Sequence, residues 1–174
     1  MDKNSLEPQA DKLKMAAECF AELSTDDRSV IVEEFRKIAT DEQNGIRVVF
    51  NLLNDYPHYK RLWPQFEPIH DSVLLGAVEV AHFAERFMGG IQVIVDSLEQ
   101  GDNEKTASSL GKVALVHKRH NIREEHITHM AEAFEIMLKK ELGAEFTPEN
   151  SVSWRKMFKA IAQALTKKIK EGDF

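Results

Sequence analysis

Apolar residues recur at spacings of three and four along most of the chain, and no stretch keeps the alternation of apolar and polar residues that a β-strand requires. Glycine and proline fall mostly between the periodic segments and separate one from the next. The pattern therefore predicts an all-α protein without internal repeats. The expected helices cover about residues 24–38, 40–53, 71–99, 105–119, 123–142 and 147–170, with at most a short helix over 57–63.

Three of these helices carry start signals in the sequence. Ser24 or Thr25 can cap the first helix, and two acids follow in its first turn, beside the positive end of the helix dipole. Residues 40–43 (Thr-Asp-Glu-Gln) have the pattern of a capping box and predict the start of the second helix there. Thr147 is a suitable cap for the last helix, and Pro148 suits the first helical position.

Length and composition indicate one folded domain. The chain has 174 residues, 43% hydrophobic and 30% charged, which is ordinary for a globular protein and too short for two domains. We expect the domain to cover residues 23–170, with an N-terminal extension over 1–22 (a tail or a short helix lying on the domain) and a C-terminal tail over 171–174. The net charge of −6, without a basic face, argues against a nucleic-acid partner.

The expected cellular location follows from the first residues, the length of the apolar runs and the number of cysteines. The first residues contain no apolar signal core, and no apolar run is long enough to span a bilayer. Cys19 is the single cysteine, so no internal disulfide can form. These features predict a cytoplasmic protein in which Cys19 is a buried structural thiol rather than a redox group.

Two sets of residues make the chain resemble the globin family over residues 23–170. The segment 145–165 is similar to the start and body of the last helix of vertebrate haemoglobin chains. In addition, Pro57 lies twelve residues after Gly45, Trp63 six after Pro57, and Phe66 three after Trp63. That spacing is typical of the second-helix glycine, the proline of the short third helix and the two aromatic residues that follow it in globins.

The resemblance implies a globin fold, a helical sandwich around a haem pocket, with haem b (heme b, iron protoporphyrin IX) as cofactor. In this fold two helices cross at close contact, and Gly45 and Ala84 are the small pair expected at the crossing. Within the family, the chain is similar to neuroglobin-like and invertebrate nerve-type globins. No other catalytic constellation is visible in the sequence, so we expect a protein that is not an enzyme, with peroxidase or nitrite chemistry incidental to the haem.

Haem iron in a helical pocket needs an axial nitrogen, which the resemblance assigns to His117. Val113 and Leu110 share the helix face of His117, so its imidazole emerges from an apolar stripe. The carbonyl of Val113, one turn earlier, is the expected acceptor for the other ring nitrogen. Of the remaining histidines, four near helix starts or charged residues are interpreted as solvated surface: His58, His70, His126 and His129.

His120 is the competing proximal ligand, only three residues on. The spacing from His117 to the next helix is neuroglobin-like, whereas a ligand at His120 leaves two residues for the corner, which is too tight. We therefore expect His120, with Lys118 and Arg119, to pair with the haem propionates or to form a solvated helix end. The pocket-facing residues of that next helix are expected five, ten and thirteen positions after His117: Ile122, Ile127 and Met130.

The distal side of the pocket can be aligned in two registers. With Phe83 at the usual distal position, Phe87 follows on the pocket face, Ala84 meets the second helix and Arg86 reaches the propionate edge. With His82 there instead, Arg86 would face the porphyrin as an unpaired charge, which is costly. His82 nevertheless lies one residue off the pocket stripe, so a modest rotation or a local unwinding would let it reach the iron.

The rest of the distal pocket lacks polar groups. Val49 stands where many oxygen-binding globins have tyrosine or leucine, and Trp63 replaces a nearly invariant phenylalanine and crowds the haem face. We therefore hypothesise that His82 and His117 both ligate the iron in a six-coordinate haem. The alternative is that His82 lies on the flank and the iron is open.

These site predictions favour a redox or signalling role, which is electron transfer or the sensing of oxygen and redox state, with an unidentified redox partner. The second hypothesis is a globin that binds oxygen or another diatomic gas reversibly for storage or transport. A third hypothesis is a haem-free globin-fold interaction module. The sequence does not indicate an oligomeric state.

Overall fold

Six α-helices dominate the computed structural model, which describes residues 18–172. No β-strand occurs in that part of the chain, so the expected all-α class is confirmed. Short 3₁₀ helices over Pro57–Leu62, Asp71–Gly76 and Gly143–Glu145 lie between the α-helices. The α-helices are α1 (Thr25–Ile38), α2 (Gln43–Asp55), α3 (Val78–Gln100), α4 (Asn103–Arg119), α5 (Glu124–Leu142) and α6 (Pro148–Glu171).

The core forms where α1, α3, α5 and α6 meet. Its largest fully buried side chains include Trp154, Phe35 and Phe134. The Phe134 ring lies 5.2 Å from Trp154 and 5.3 Å from Phe158, measured between centroids. Rings at such distances contribute about 0.5–1.5 kcal/mol per pair beyond the apolar area they bury. The aromatic residues of α6 therefore hold the last helix against α5.

Buried carboxylates connect α6 to the beginning of the domain. Glu34 of α1 accepts a hydrogen bond of 2.7 Å from Nε1 of Trp154 and one of 2.6 Å from Nδ2 of Asn150. Asp27 accepts hydrogen bonds from Oγ of Ser153 at 2.7 Å and from Nζ of Lys156 at 2.9 Å. Burial raises the pKa of Asp27, but these hydrogen bonds and those from Ser24 outweigh it and hold the pKa well below its usual range.

Two expected helix caps are confirmed. Ser24 forms a capping box with Asp27: its hydroxyl accepts from the Asp27 N–H at 3.1 Å, and the Asp27 carboxylate accepts from the Ser24 N–H at 2.9 Å. Thr147 caps α6 through the N–H of Asn150 at 3.2 Å, with Pro148 in the first turn. Each cap satisfies backbone donors that have no partner within the helix.

The capping box expected at residues 40–43 is wrong. The Thr40 hydroxyl instead donates to the carbonyl of Lys37 at 2.9 Å and closes the end of α1. Asp41 accepts from the N–H of Gln43 at 2.9 Å, and the side chain of Glu42 makes no cap. A side-chain hydroxyl between two helices can donate to a carbonyl of the first helix or accept from an N–H of the second. Here the Thr40 hydroxyl donates to the first helix.

The long helix expected from about residue 71 is divided in two. Residues 71–76 form a 3₁₀ helix, and Ala77 then takes an extended conformation with ψ 143° before α3 begins at Val78. α3 ends as expected at Gly101, whose φ of 69° is in the left-handed region that suits glycine. α4 begins two residues earlier than expected because Asp102 caps it by accepting from the N–H of Lys105 at 2.9 Å.

The part of the N-terminal extension that is described packs on the domain. Phe20 and Leu23 are buried, and Arg28 donates to the carbonyl of Phe20 at 2.8 Å. Cys19 donates to the carbonyl of Ala160 at 3.4 Å, and burial raises the pKa of its thiol to about 12, so the thiol stays protonated at neutral pH. Residues 1–17 and the tail from 173 lie outside the described residues.

Gly45 lies at the crossing of α2 and α3, as expected. A Cβ atom there would lie 2.9 Å from Cβ of Ala84, 2.9 Å from its carbonyl oxygen and 3.0 Å from Cγ of Met88. The carbonyl is backbone and cannot move aside without a shift of α3. Within the described residues, no helix is long and apolar enough to cross a membrane.

We expect Gly45→Ala to lower the free energy of unfolding by about 1–3 kcal/mol, because the added methyl group forces the two helices apart. Gly89→Ala is the matched control, since it lies in α3 with open space around a Cβ atom. It should raise the stability by about 0.5–1 kcal/mol through helix propensity. Urea denaturation followed by circular dichroism measures both changes. Equal effects of the two variants would contradict the close crossing.

We expect the protein to lose stability as the pH falls through the range of its buried carboxylates. Hydrogen bonds from Arg155, Lys139 and Ser151 lower the pKa of Glu135 to about 2 despite its burial. A carboxylate whose pKa is lowered by folding stabilises the fold above its unfolded pKa, and the contribution disappears as the pH drops toward the folded value. The free energy of unfolding should therefore fall between pH 4.5, the unperturbed value, and about 2.

Glu135→Gln should flatten this pH dependence, and Glu67→Gln, at an exposed loop position, should leave it unchanged. Denaturation curves at a series of pH values are the measurement. A pH profile that is the same in wild type and Glu135→Gln would show that the ion pairs of Glu135 do not contribute.

Candidate haem site

His117 lies two residues before the end of α4, half-buried, with one ring nitrogen already engaged. Its Nδ1 is 2.9 Å from the carbonyl oxygen of Val113, one turn earlier, so the expected hydrogen bond is confirmed. The contact makes Nδ1 the protonated nitrogen and leaves the lone pair on Nε2. An imidazole held in this tautomer presents the nitrogen that a haem iron takes as axial ligand.

Burial lowers the pKa of His117, and the hydrogen bond to Val113 opposes this effect only in part. Neighbouring His120 lowers the pKa further. The imidazole is therefore neutral at physiological pH, which is the form that binds a metal. His120 itself is exposed and follows the last residue of α4. Of the two candidates for the proximal ligand, only His117 is shielded from solvent.

A tight corner leads from His117 into α5. The N–H of Ile122 donates to the carbonyl of His117 at 2.8 Å, and Asn121 takes a positive φ of 53° to make the turn. Beyond the corner, the three residues expected to face the pocket all pack in the main core: Ile127 is buried, and Ile122 and Met130 are half-buried. The corner is therefore built from a left-handed residue and backbone hydrogen bonds, which include one of 3.2 Å from the Asn121 N–H to the Lys118 carbonyl.

An aromatic wall, formed by Trp63, Phe66, Phe83 and Phe87, contains the residues expected on the distal side. The Trp63 ring lies 5.4 Å from Phe66 and 5.0 Å from Phe83, and Phe83 lies 6.2 Å from Phe87, between centroids. Val49 of α2 is completely buried beside this wall and packs with Phe66 and Phe83. None of these five side chains except Trp63 can donate a hydrogen bond.

Trp63 joins two groups of apolar side chains. It packs against the main core together with Val113 and Phe87, and also against the smaller group that contains Val49 and Phe66. A ring larger than phenylalanine at this position therefore packs against both groups of apolar side chains. The indole is half-buried, which leaves part of its face open.

α3 presents Phe83, rather than His82, to the aromatic wall. His82 is exposed and makes no hydrogen bond or ion pair with any described residue, and Arg86 is exposed as well. Of the two registers considered for this helix, the structure has the one in which Ala84 meets Gly45 and Phe83 faces inward. Gly89 and Gly90 lie further along α3, toward its C-terminal half, and a Cβ atom on either would meet nothing within 4 Å.

A second group of ring side chains was missed by the sequence analysis, which assigned its histidines to the solvated surface. That assignment is wrong for His126 and His129, which are half-buried because the 3₁₀ helix over 57–62 packs Tyr59 against α5. The Tyr59 hydroxyl lies 2.6 Å from Nδ1 of His129. The i,i+3 spacing of the two histidines on α5 is the signal that could have indicated one shared face. His58 and His70 are exposed, as expected.

Comparison with known proteins identifies the family. The globin family model matches residues 46–165, which is more than half of the chain. The chain belongs to the globin family. This globin is 23% identical over 151 residues to haemoglobin D subunit alpha of Aldabrachelys gigantea, covering 85% of this chain and 99% of that protein.

Two other relatives carry different names. Cytoglobin-2 of Danio rerio is 24% identical over 143 residues, covering 80% of this globin and 79% of the relative. A protein named globin from Nerita albicilla is 23% identical over 144 residues, covering 82% and 90%. These identities are low and similar to one another, so they select no subgroup, and the family membership rests on the family model.

The residues of this globin fit a haem group on chemical grounds. His117 offers a neutral imidazole nitrogen, and Val49 with the aromatic wall offers the kind of apolar surface that a largely hydrophobic porphyrin requires. When bound, haem supplies an iron that exchanges electrons and takes diatomic gases as ligands.

We expect His117→Ala to weaken haem binding by more than about 100-fold, because loss of a partner that only orients a ligand already costs about 10–100-fold. The measurement is a titration of apoprotein with haemin, followed by the Soret band. His120→Ala is the matched control and should bind haem like the wild type. Added imidazole should restore the Soret band of His117→Gly. Unchanged binding by His117→Ala, with loss in His120→Ala, would assign the iron to His120.

Proposed function

We propose that this globin holds haem b through Nε2 of His117 and acts in electron transfer or in the sensing of oxygen and redox state, rather than in oxygen storage or transport. The observation that carries the proposal is the composition of the distal side. Val49, Phe83 and Phe87 offer no hydrogen-bond donor to a diatomic ligand.

Donors in the distal pocket decide whether a haem protein binds oxygen, activates it or transfers electrons. Because Trp63 carries the one hydrogen-bond donor among the five distal side chains, this lining would give little stabilisation to a bound diatomic ligand. The crowding of Trp63 against Phe66 and Phe83 restricts the space for a ligand further. Both properties favour one-electron chemistry with an unidentified redox partner.

The neuroglobin-like resemblance supports the same role. It rests on the spacing between His117 and the three residues expected to face the pocket, Ile122, Ile127 and Met130. The names of the relatives include haemoglobin subunits and a cytoglobin, so they are compatible with both gas binding and other roles. We propose a cytoplasmic location, because the single cysteine excludes an internal disulfide.

We further propose His82 as the second axial ligand of the iron. Bringing His82 to the position of Phe83 requires a rotation of about 100° around the helix axis, which is the angle between successive residues. His82 has no hydrogen bond to a described residue that would have to break. Gly89 and Gly90 weaken α3 about two turns beyond the site, but the rotation would also have to separate Ala84 from Gly45.

A second candidate function is reversible binding of oxygen at an open iron. The inward position of Phe83 favours it, because this ring contacts Trp63 and Phe66 and would have to leave them for His82 to enter. The two candidates differ in the number of axial ligands that the protein supplies.

The absorption spectrum of the reduced, ligand-free protein separates them. We expect sharply resolved low-spin bands in the wild type and a five-coordinate high-spin spectrum in His82→Ala. His70→Ala, another exposed histidine, is the control and should keep the low-spin bands. A five-coordinate spectrum in the wild type, unchanged by His82→Ala and accompanied by a long-lived oxygen complex, would favour oxygen storage. A purified protein without a Soret band after haem is supplied would contradict both and favour the haem-free module.

A further inference from the structure

An imidazole closes the beginning of α5. Nδ1 of His126 accepts a hydrogen bond of 3.0 Å from the backbone N–H of Arg123, the residue just before the helix. In return the N–H of His126 donates to the carbonyl of Arg123 at 3.0 Å. The third residue of a helix that bonds back to the cap position is usually glutamate or glutamine. At α5 this place is taken by a side chain whose charge changes near neutral pH.

The direction of the hydrogen bond from Arg123 fixes the protonation state of the His126 ring. A backbone N–H only donates, so Nδ1 carries the lone pair and the proton of the neutral imidazole is on Nε2. An imidazolium has protons on both nitrogens and offers no acceptor in any orientation of the ring. Glutamate or glutamine would keep an acceptor throughout roughly pH 5 to 8, whereas His126 loses its acceptor when it takes up a proton.

The surroundings hold the His126 ring in its capping position. The side chain is only 9% exposed. The ring meets Tyr59 edge-on, with 4.8 Å between centroids and 88° between planes. The Tyr59 hydroxyl in turn lies 2.6 Å from Nδ1 of His129. Because the imidazole is packed between α5 and the 3₁₀ helix over 57–62, it cannot leave the cap without giving up its contact with Tyr59.

Charged and titratable groups face His126 from both elements packed against it. They are Glu125 and His129 of α5, Arg123 before α5, and His58 and Tyr59 of the 3₁₀ helix over 57–62. Burial is the largest influence and lowers the pKa of His126 below its ordinary value of 6.5. Glu125, whose Oε1 lies 3.7 Å from Nε2, opposes this effect. Positive charge on Arg123 and on the other two histidines lowers the pKa further.

His126 also closes the far end of the corner that begins at His117. Arg123 directly follows Ile122, whose N–H donates to the carbonyl of His117 at 2.8 Å. Asn121, with its positive φ of 53°, lies between these hydrogen bonds and α4. One end of the corner is therefore fixed by the carbonyl of His117 and the other by the imidazole of His126.

We propose that His126 is a pH-sensitive cap, which closes the corner between α4 and α5 when neutral and releases Arg123 when protonated, so that the beginning of α5 frays. The inference goes beyond the proposed haem function and does not depend on it, because every group involved belongs to the chain. Uptake of one proton by Nδ1 breaks one hydrogen bond. The imidazolium then turns toward the carboxylate of Glu125, its nearest negative charge.

The direction of the pH effect follows from the same geometry. A histidine whose pKa is lowered by folding binds a proton more readily in the open form, so the closed form is fully stable above pH 6.5. Its stability falls as the pH drops through that value toward the folded pKa. Glu135 contributes only below pH 4.5, so the two carboxyl and imidazole effects occupy separate ranges.

Hydrogen exchange of the full chain, resolved at the Arg123 amide by mass spectrometry and corrected for the intrinsic pH dependence of exchange, tests the proposal. Between about pH 7.5 and 5, on either side of the ordinary histidine pKa, protection of this amide should fall severalfold. A fall of about fivefold corresponds to the loss of one helix cap. The midpoint should lie below pH 6.5.

Two substitutions of the same histidine make opposite predictions. His126→Gln keeps an acceptor that does not titrate, so protection of the Arg123 amide should stay high at both pH values. His126→Ala removes the acceptor, so protection should be low at both. His120→Gln is the matched control, because His120 is an exposed histidine of the same corner, and it should keep the pH response of the wild type.

Three results would overturn the proposal. The first is protection of the Arg123 amide that does not change with pH in the wild type. The second is a pH response that persists in His126→Gln or disappears in His120→Gln, which would assign the response to another group. The third is an equal loss of protection at Trp154, in the buried part of α6, because the whole domain would then open rather than the corner.

Discussion

The close approach of α2 and α3 at Gly45 determines which side chains α3 presents to the candidate haem site. A Cβ atom on Gly45 would lie only 2.9 Å from the Ala84 carbonyl oxygen, so α3 cannot turn about its axis near this point without separating from α2. Ala84 at the contact places its neighbour Phe83 against the aromatic wall and leaves His82 outside. The absence of a side chain at Gly45 thus determines which residues α3 presents to the distal side.

The proximal side depends on a different kind of constraint. His117 is oriented by a backbone carbonyl of its own helix and by the corner that begins at its own carbonyl, so local geometry alone fixes its tautomer. Because the proximal nitrogen is set locally and the distal wall by helix packing, a change at the α2–α3 crossing alters the distal side first. Such a change would shift the first half of α3, which Gly89 and Gly90 separate from the second half.

The features that the sequence predicted correctly are those that depend on neighbours along the chain or on a contact between small residues. The cap at Ser24, the hydrogen bond from His117 to Val113 and the pairing of Gly45 with Ala84 belong to this group. The capping box at residues 40–43 failed although its pattern is local, because the hydroxyl of Thr40 had a competing acceptor in the preceding helix.

Features that join distant parts of the chain were beyond the reach of pattern alone. Tyr59 and His129 are adjacent only because the 3₁₀ helix over 57–62 packs on α5, and a single histidine next to charged residues gives no indication of that partner. The start of α3 was misplaced for a related reason. Residues 71–76 have helical periodicity, and the extended conformation of Ala77 separates them from the longer helix. The family and the contact of His117 with Val113 could be predicted, whereas the contact of Tyr59 with His129 could not.

The carboxylates that receive the last helix have a consequence for the order in which the chain is made. Asp27 and Glu34 are synthesised early, but their partners Ser153 and Trp154 belong to the final helix. During synthesis the two acids therefore exist before the side chains of α6 that donate hydrogen bonds to them. Buried acids without partners oppose collapse. Packing α1 against a domain that lacks α6 would leave Glu34 without Trp154 and Asn150, so the burial of α1 is coupled to that of the last helix.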